Sequence, residues 1–363
     1  MAFDNTRNEL YEAAIRRFVT PDSVVLDLGS GLGVHALMAA RAGAKRVFMV
    51  EPENVVHCAK EIATHNGYGD RVEAFQGCIE EIELPEKVDV IISVFTGNLL
   101  YSEDLLPSLF YARDKWLKPG GTLIPDSAEL MLAPVSIAKT FEDSVAVWST
   151  PHRGFDYSPL RRYAANGFLS DRSKGVEGEL LAPAQPIAVA DFYSANDTKL
   201  DASVTFNIEK AGTCHGLHAW IRIHVGDEWA ATGPIKAPMH WTPTTFTLDP
   251  PLKLSAGEAL DTRVRRPAYG EWVWTVQSNA GKAQRSTFLA APILPSSLQA
   301  LSENGVATLS ERGQAAKFVI NKLDGKTSNA QIVAAVHTNF PKQFSSAAQA
   351  KQFVTGLVGR FGA

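Results

Sequence analysis

At 363 residues, with 45% hydrophobic and 20% charged residues, the chain has a globular make-up and a length that suggests two or three domains. A net charge of −4 without a basic stripe argues against a nucleic-acid surface, and no apolar run reaches the about eighteen residues of a membrane span. The three cysteines lack metal-ligand spacing, and Asp4, Arg7 and Glu9 stand where a signal peptide would be apolar, so a soluble cytoplasmic protein with reduced thiols is expected.

Residues Thr6 to Phe18 read as a helix with Leu10, Ala14 and Phe18 on one face. The next stretch, Val24 to Gly33 (VVLDLGSGLG), organises the chain. Its apolar run carries Asp27 and is broken by Gly29, Gly31 and Gly33 before a helical pattern begins. This is the mark of a buried strand turning tightly into a helix, with glycines that let a ligand approach the backbone. A dinucleotide site would want G-x-G-x-x-G, but Val34 holds the place of its third glycine and Asp27 would repel a pyrophosphate. S-adenosylmethionine has no phosphate and a cationic amino group, so D-x-G-x-G-x-G fits it better. The strand Arg46 to Val50 then ends in Glu51, where a carboxylate can accept both hydroxyls of a ribose. Asp27, the glycines and Glu51 together point to a class I S-adenosylmethionine site.

Helices closed by Gly43 and Gly67, strands at Val72–Phe75 and Val88–Ser93, and a helix over Leu105–Trp116 complete an alternation typical of a doubly wound parallel sheet. Lys118 to Gly121 reads as a turn into Thr122–Ile124. Beyond Pro125 the period changes to two: Ala219, Ile221, Ile223 and Val225 share one face, and Trp272, Trp274 and Val276 another. An antiparallel barrel or sandwich is expected there. His152 to Leu181, with Phe155, Tyr157, Leu160 and Tyr163, reads as an excursion from its wall. From Pro295 the pattern is helical again, with capping-box spacings at Ser328/Gln331 and Ser346/Gln349. A stripe of Ala350, Phe353, Val354, Leu357, Val358 and Phe361 follows. The expected domains are 1–125, 126–292 and 296–363.

Several further motifs resemble the protein arginine methyltransferases across residues 1 to about 290. They are Asp4-x-x-Arg7-x-x-x-Tyr11, GCIEEIELP at 77–85, YARDKWLKPGG at 111–121, and His240-Trp241. The resemblance implies a Rossmann-like methyltransferase domain followed by a β-barrel whose arm, about 152–181, makes a homodimer. It implies that Arg7 binds the cofactor carboxylate, Glu51 the ribose and Glu80 the adenine amino group, with Ile79 also at the cofactor site, while His240 pairs with Asp4. The segment LSERGQAAKFVINKLDGKTSNAQIV resembles a PqqD-type winged-helix module, which implies a C-terminal part that binds a peptide.

Aligned without a gap from Asp89 to Gly121, the chain departs from the family at the substrate-holding glutamates. Ser93-Val94 stands where the first of two substrate-holding glutamates belongs, and Glu103 is the second; Met239 replaces the threonine before His240-Trp241. One carboxylate can orient an amine, guanidine or hydroxyl or take its proton, whereas two suit a bidentate guanidinium better. The expected acceptor, a peptide, protein or small molecule, therefore meets Val94, Glu103 and Trp241, with Glu103 and His240 the candidate catalytic groups. Genuine arginine methylation remains an alternative, as does a cofactor-binding scaffold without turnover whose working part is the tail.

Overall fold

The computed structural model describes residues 2–169, 178–234 and 239–362, so positions 170–177 of the expected excursion lie outside the described residues. The chain divides into two compact units, Met1–Pro292 and Ile293–Ala363.

The first unit opens with α1 (Asn5–Phe18), capped by Asp4, whose carboxylate accepts the Arg7 N–H at 3.2 Å. Its buried face is turned by one residue from the expected one: Tyr11, Ala14 and Ile15 are fully covered, while Leu10 and Phe18 are only half-buried. The Tyr11 hydroxyl sets this rotation by donating to the Ser93 carbonyl at 3.0 Å. Then come β1 (Val24–Leu28), α2 (Val34–Arg41), β2 (Arg46–Glu51), α3 (Val55–His65) and β3 (Val72–Gln76), followed by β4 (Val88–Ser93), α4 (Leu106–Trp116) and β5 (Leu117–Ile124). The five strands form a parallel sheet in the order β3-β2-β1-β4-β5. All five β1 residues are buried, as an apolar strand covered on both faces requires. Lys118 to Gly121, expected as a turn before the strand, is a bulge inside it, because Leu117 already pairs with Val88 before Thr122 pairs with Val90.

β6 (Ser127–Ser136) starts the antiparallel half. After α5 (Ala138–Ser144), α6 (Arg161–Ala164), β7 (Phe168–Leu169) and β8 (Glu179–Leu180), the chain runs through β9 (Gln185–Asp191), β10 (Leu200–Asn207), β11 (Gly212–Val225) and β12 (Glu228–Ala231). It ends with β13 (Thr244–Leu254), β14 (Ala259–Arg266), β15 (Val273–Ser278) and β16 (Gly281–Ser286). One sheet runs β7-β13-β11-β6-β8, with β12 and β9 attached, and the other β10-β14-β15-β16. The predicted inward faces are correct: Ala219, Ile221, Ile223 and Val225 are buried, as are Trp272, Trp274 and Val276. Both halves of the unit share one continuous apolar core.

The excursion is narrower than its sequence suggests. Phe155, Tyr157 and Leu160 are exposed, but Phe168 and Leu169 pair with β13 and belong to the wall. There Phe168 joins an aromatic cluster with Phe246, Trp272 and Trp274 at centroid distances of 5.0, 6.3 and 6.2 Å.

The second unit consists of α7 (Pro295–Leu301), α8 (Glu311–Ile320), α9 (Asn329–Asn339) and α10 (Ala347–Phe361), with no strand among its described residues. Its small core is Ala315, Val319, Ile332, Val336, Phe344, Ala350 and Val354. Ser328 and Gln331 make the expected reciprocal capping box. Ser346 does not: its hydroxyl accepts the Gln349 N–H, but the Gln349 side chain turns to Ser345. The α10 stripe buries Ala350 and Val354, whereas Phe361 is exposed. No helix among the described residues is long and apolar enough to cross a membrane.

Candidate active site

In the parallel sheet, β1 is flanked by β2 on one side and β4 on the other, so the winding direction reverses between β1 and β4. Open α/β sheets bind ligands outside the carboxyl ends of their strands at such a point. A cavity of ≈ 450 Å³ lies there, lined by Leu28 and Gly29 after β1, Val50 and Glu51 at the end of β2, and Gly77 after β3. The loop after β4 adds Val94, Phe95, Asn98 and Glu103, and α4 adds Ser108. His240 and Trp241 close it from the antiparallel half.

The turn after β1 is built by left-handed backbone at Gly29, Gly31 and Gly33 (φ 71, 51 and 73°), which glycine adopts without a Cβ clash. The Gly31 N–H donates to Glu51 Oε2 at 3.0 Å, and Glu51 Oε1 accepts the Glu53 N–H at 3.1 Å. Ties to both strand ends thus hold Glu51 at the cavity wall. Glu80 is held similarly from α4: Ser108 Oγ donates to its Oε1 at 2.6 Å, and the Tyr111 hydroxyl reaches its carbonyl at 3.4 Å.

Of the candidates read from sequence, Gly29, Glu51, Ile79, Glu80, Val94, Glu103, His240 and Trp241 line the cavity, while Arg7, Asp27, Gly31 and Gly33 do not. Asp27 is buried beneath the turn, and its Oδ2 accepts the Ala36 N–H of α2 at 2.9 Å. Burial, with the nearby Glu51 charge, pushes its pKa up to about 7 despite that bond. Arg7 is also buried, its guanidinium 5.6 Å from the centre of the Trp241 ring. The Asp4–His240 link exists through the main chain: Asp4 Oδ2 accepts the His240 backbone N–H at 2.7 Å. His35 lies outside the lining; it stacks on Tyr11 at 4.7 Å, and burial lowers its pKa to about 3.

Phe95, Asn98, Leu105 and Ser108 line the cavity without having been singled out in the sequence. A twelve-residue stretch between β4 and α4 was the available signal, since long loops at strand ends carry sites. Asn98 ties this loop to the other wall, its Oδ1 accepting the Thr242 N–H at 2.9 Å. Glu103 is an exposed residue at the rim, and its carboxylate lies against Gly97, where a Cβ would meet Cδ at 2.9 Å.

Three carboxylates line the cavity, from Glu51, Glu80 and Glu103, with no lysine or arginine among the described lining residues. Such a lining favours a cation and disfavours a phosphate. Beside it, Ser30 Oγ in the glycine turn and Thr96 Oγ1 in the loop after β4 are buried with no hydrogen-bond partner among the described residues. Unsatisfied buried hydroxyls cost about 1–3 kcal/mol each, which fits a region arranged for a polar ligand.

Comparisons with known proteins agree with this architecture. A family model described as a methyltransferase domain matches residues 25–121, and one described as the arginine methyltransferase oligomerization subdomain matches 126–269. Protein arginine N-methyltransferase 1.1 of Arabidopsis thaliana is 33% identical over 272 residues, covering 72% of this chain and 68% of that protein. Protein arginine N-methyltransferase 2 of Homo sapiens is 30% identical over 279 residues, covering 72% and 64%. Among solved structures, the Trypanosoma brucei PRMT1 enzyme–prozyme complex with AdoHcy superposes with a TM-score of 0.70 at 25% identity, over 78% of this chain and 94% of that one. Protein arginine methyltransferase 10 of Arabidopsis thaliana shares the fold, with a TM-score of 0.65 at 22% identity over 78% and 95%.

Proposed function

Since this chain belongs to the protein arginine methyltransferase family, we propose that it is an S-adenosylmethionine-dependent methyltransferase whose acceptor is oriented by a single glutamate, Glu103. The observation that carries this reading is a switch-point cavity lined by three carboxylates, with no cation among its described lining residues, and with Val94 in its wall together with Glu103.

The residues fit the cofactor. A volume of ≈ 450 Å³ suits a nucleoside-sized ligand. Glu51 would take the ribose hydroxyls, Ile79 and Glu80 the adenine, and the buried Arg7 the carboxylate, with Gly29 in the cavity wall and Gly31 leaving open space at the turn. Asp27 would act through the turn and the start of α2, to which it is bonded. When bound, S-adenosylmethionine supplies an electrophilic methyl group on a sulfonium. Glu103 would hold the acceptor by a charge-assisted hydrogen bond and receive its proton, so that the lone pair is available for in-line attack. Val94, Phe95 and Trp241 would exclude water. His240, bonded to Asp4 by its main chain, would join the N-terminal helix to the rim and stand beside the acceptor. Removal of the ribose carboxylate in Glu51→Ala should weaken S-adenosylhomocysteine binding by about 1.5–3 kcal/mol, the loss expected for charged hydrogen bonds. Calorimetry measures this, and tight NADH binding instead would end the assignment.

Arginine methylation is the second reading, favoured by family membership itself. It predicts robust methylarginine formation by the unaltered protein, a result open to mass spectrometry.

We also infer a homodimer made through the excursion, motivated by exposed Phe155, Tyr157 and Leu160, since apolar groups clustered outside a core usually meet a partner. Light scattering should give a dimer for the intact chain and a monomer when the excursion is deleted. The PqqD-like tail we read as a recruiting module for a peptide or protein acceptor, supported by its own core. Truncation before Ser296 should preserve S-adenosylhomocysteine binding and melting of the first unit but lower activity on the natural acceptor. Unfolding of the first unit on truncation would make the tail a packing element instead.

A further inference from the structure

The loop from Val94 to Leu105 carries the proposed acceptor carboxylate, and its backbone is unusual at two points. Leu100 and Asp104 have φ of 61 and 52°, a left-handed conformation that non-glycine residues rarely adopt. Asp104 immediately follows Glu103. Its carboxylate accepts Arg266 Nη1 at 2.9 Å and Nη2 at 2.5 Å, and the Tyr269 N–H at 3.1 Å. This is a planar fork-to-fork pair, which fixes orientation as well as distance.

Arg266 ends β14, so the partner lies 162 residues away in the opposite half of the unit. Its side chain is 4% exposed and stands 5.6 Å from the centre of the Trp272 ring. A buried guanidinium needs a counter-charge, and loss of either member leaves the other uncompensated. The pair is therefore a rigid bolt from the antiparallel sheet to the residue beside Glu103. On the other side of Glu103, Tyr101 is buried, and its carbonyl accepts the Asp104 N–H at 3.3 Å. The Glu103 main chain is fixed at both ends, with its carboxylate resting on Gly97.

We propose that Asp104 and Arg266 are a positioning pair that sets Glu103 for the acceptor, making the antiparallel sheet a working part of the acceptor site. This rests on the reading that Glu103 holds the acceptor. Neither residue lines the cavity, so cofactor affinity is outside their reach.

The test uses the full chain with S-adenosylhomocysteine bound. In an Asp104→Ala crystal structure, the Glu103 carboxylate should leave Gly97 by on the order of 1 Å, a displacement large enough to cost about a hundredfold in rate. Asp104→Asn, which tolerates the left-handed backbone, should keep it closer, and Arg266→Lys, which keeps the charge but loses the fork, should also release it. S-adenosylhomocysteine affinity should be unchanged in all three. Turnover is then read as the rate of methyl label passed from S-adenosylmethionine to the native acceptor in cell extract. Asp104→Ala should lower that rate, yet Glu103→Gln combined with Asp104→Ala should be no slower than Glu103→Gln alone, because a residue acting only through another adds nothing once that one is gone. Glu103 remaining on Gly97 in both Asp104→Ala and Arg266→Lys, or losses that multiply in the double variant, would overturn the proposal. Full turnover by Glu103→Gln would overturn the acceptor reading as well, which separates the two failures.

Discussion

On a glycine- and arginine-rich peptide the unaltered protein should form little or no methylarginine, and Val94→Glu should raise whatever trace it forms. A guanidinium stays protonated in proteins. Held next to a sulfonium in a partly dry site, it meets a second positive charge with poor screening. Two carboxylates would offset that repulsion, but in the proposed acceptor site Glu103 would act alone, with Val94 in the cavity wall in place of a second. A charged donor left unpaired costs roughly 1–3 kcal/mol or more, which slows transfer about ten- to a hundredfold. Glu103→Gln should in turn lower activity on the native acceptor about a hundred- to ten-thousandfold, because its amide cannot take the proton. The measurement is mass spectrometry of peptide and cell extract incubated with labelled S-adenosylmethionine. Abundant methylarginine from the unaltered chain would show that one carboxylate suffices.

Gly31→Val should abolish S-adenosylhomocysteine binding while leaving the protein folded. A Cβ built at Gly31 meets no protein atom within 4 Å, so the added side chain would stand in open space at the turn. The folded state would bear mainly the strain of φ 51° in a branched residue, about 1–3 kcal/mol. Its neighbours behave differently. A Cβ at Gly29 would meet Phe95 Cε1 at 2.4 Å, and one at Gly33 would meet Met49 Sδ at 2.7 Å, so those substitutions disturb packing as well as binding. Calorimetry beside a melting curve separates the effects. Binding retained by a folded Gly31→Val protein would remove the turn from the ligand site.

The local features of this protein were legible because local physics makes them. Val24–Leu28 is a strand because its apolar side chains suit a sheet covered on both faces, and the glycines follow because the turn needs left-handed backbone. Glu51 stands at the cavity because it ends a strand adjacent to β1, and alternation alone assigns the inward faces of β11 and β15. Spacing could not say what a side chain turns toward. Asp27, read from the sequence as a cofactor-binding residue, accepts the Ala36 N–H below the turn, a bond that no spacing announced. Asp4 meets the main chain of His240, a contact that no side-chain pattern encodes. Lys118 to Gly121 became a bulge because Leu117 finds its partner in Val88 before the glycines occur. Above all, Asp104 could have paired with any of 35 lysines and arginines in the sequence. Only the folding of β14 against the loop after β4 brings Arg266 to it, since ion pairing is set by distance and burial in space and leaves no periodic trace along the chain.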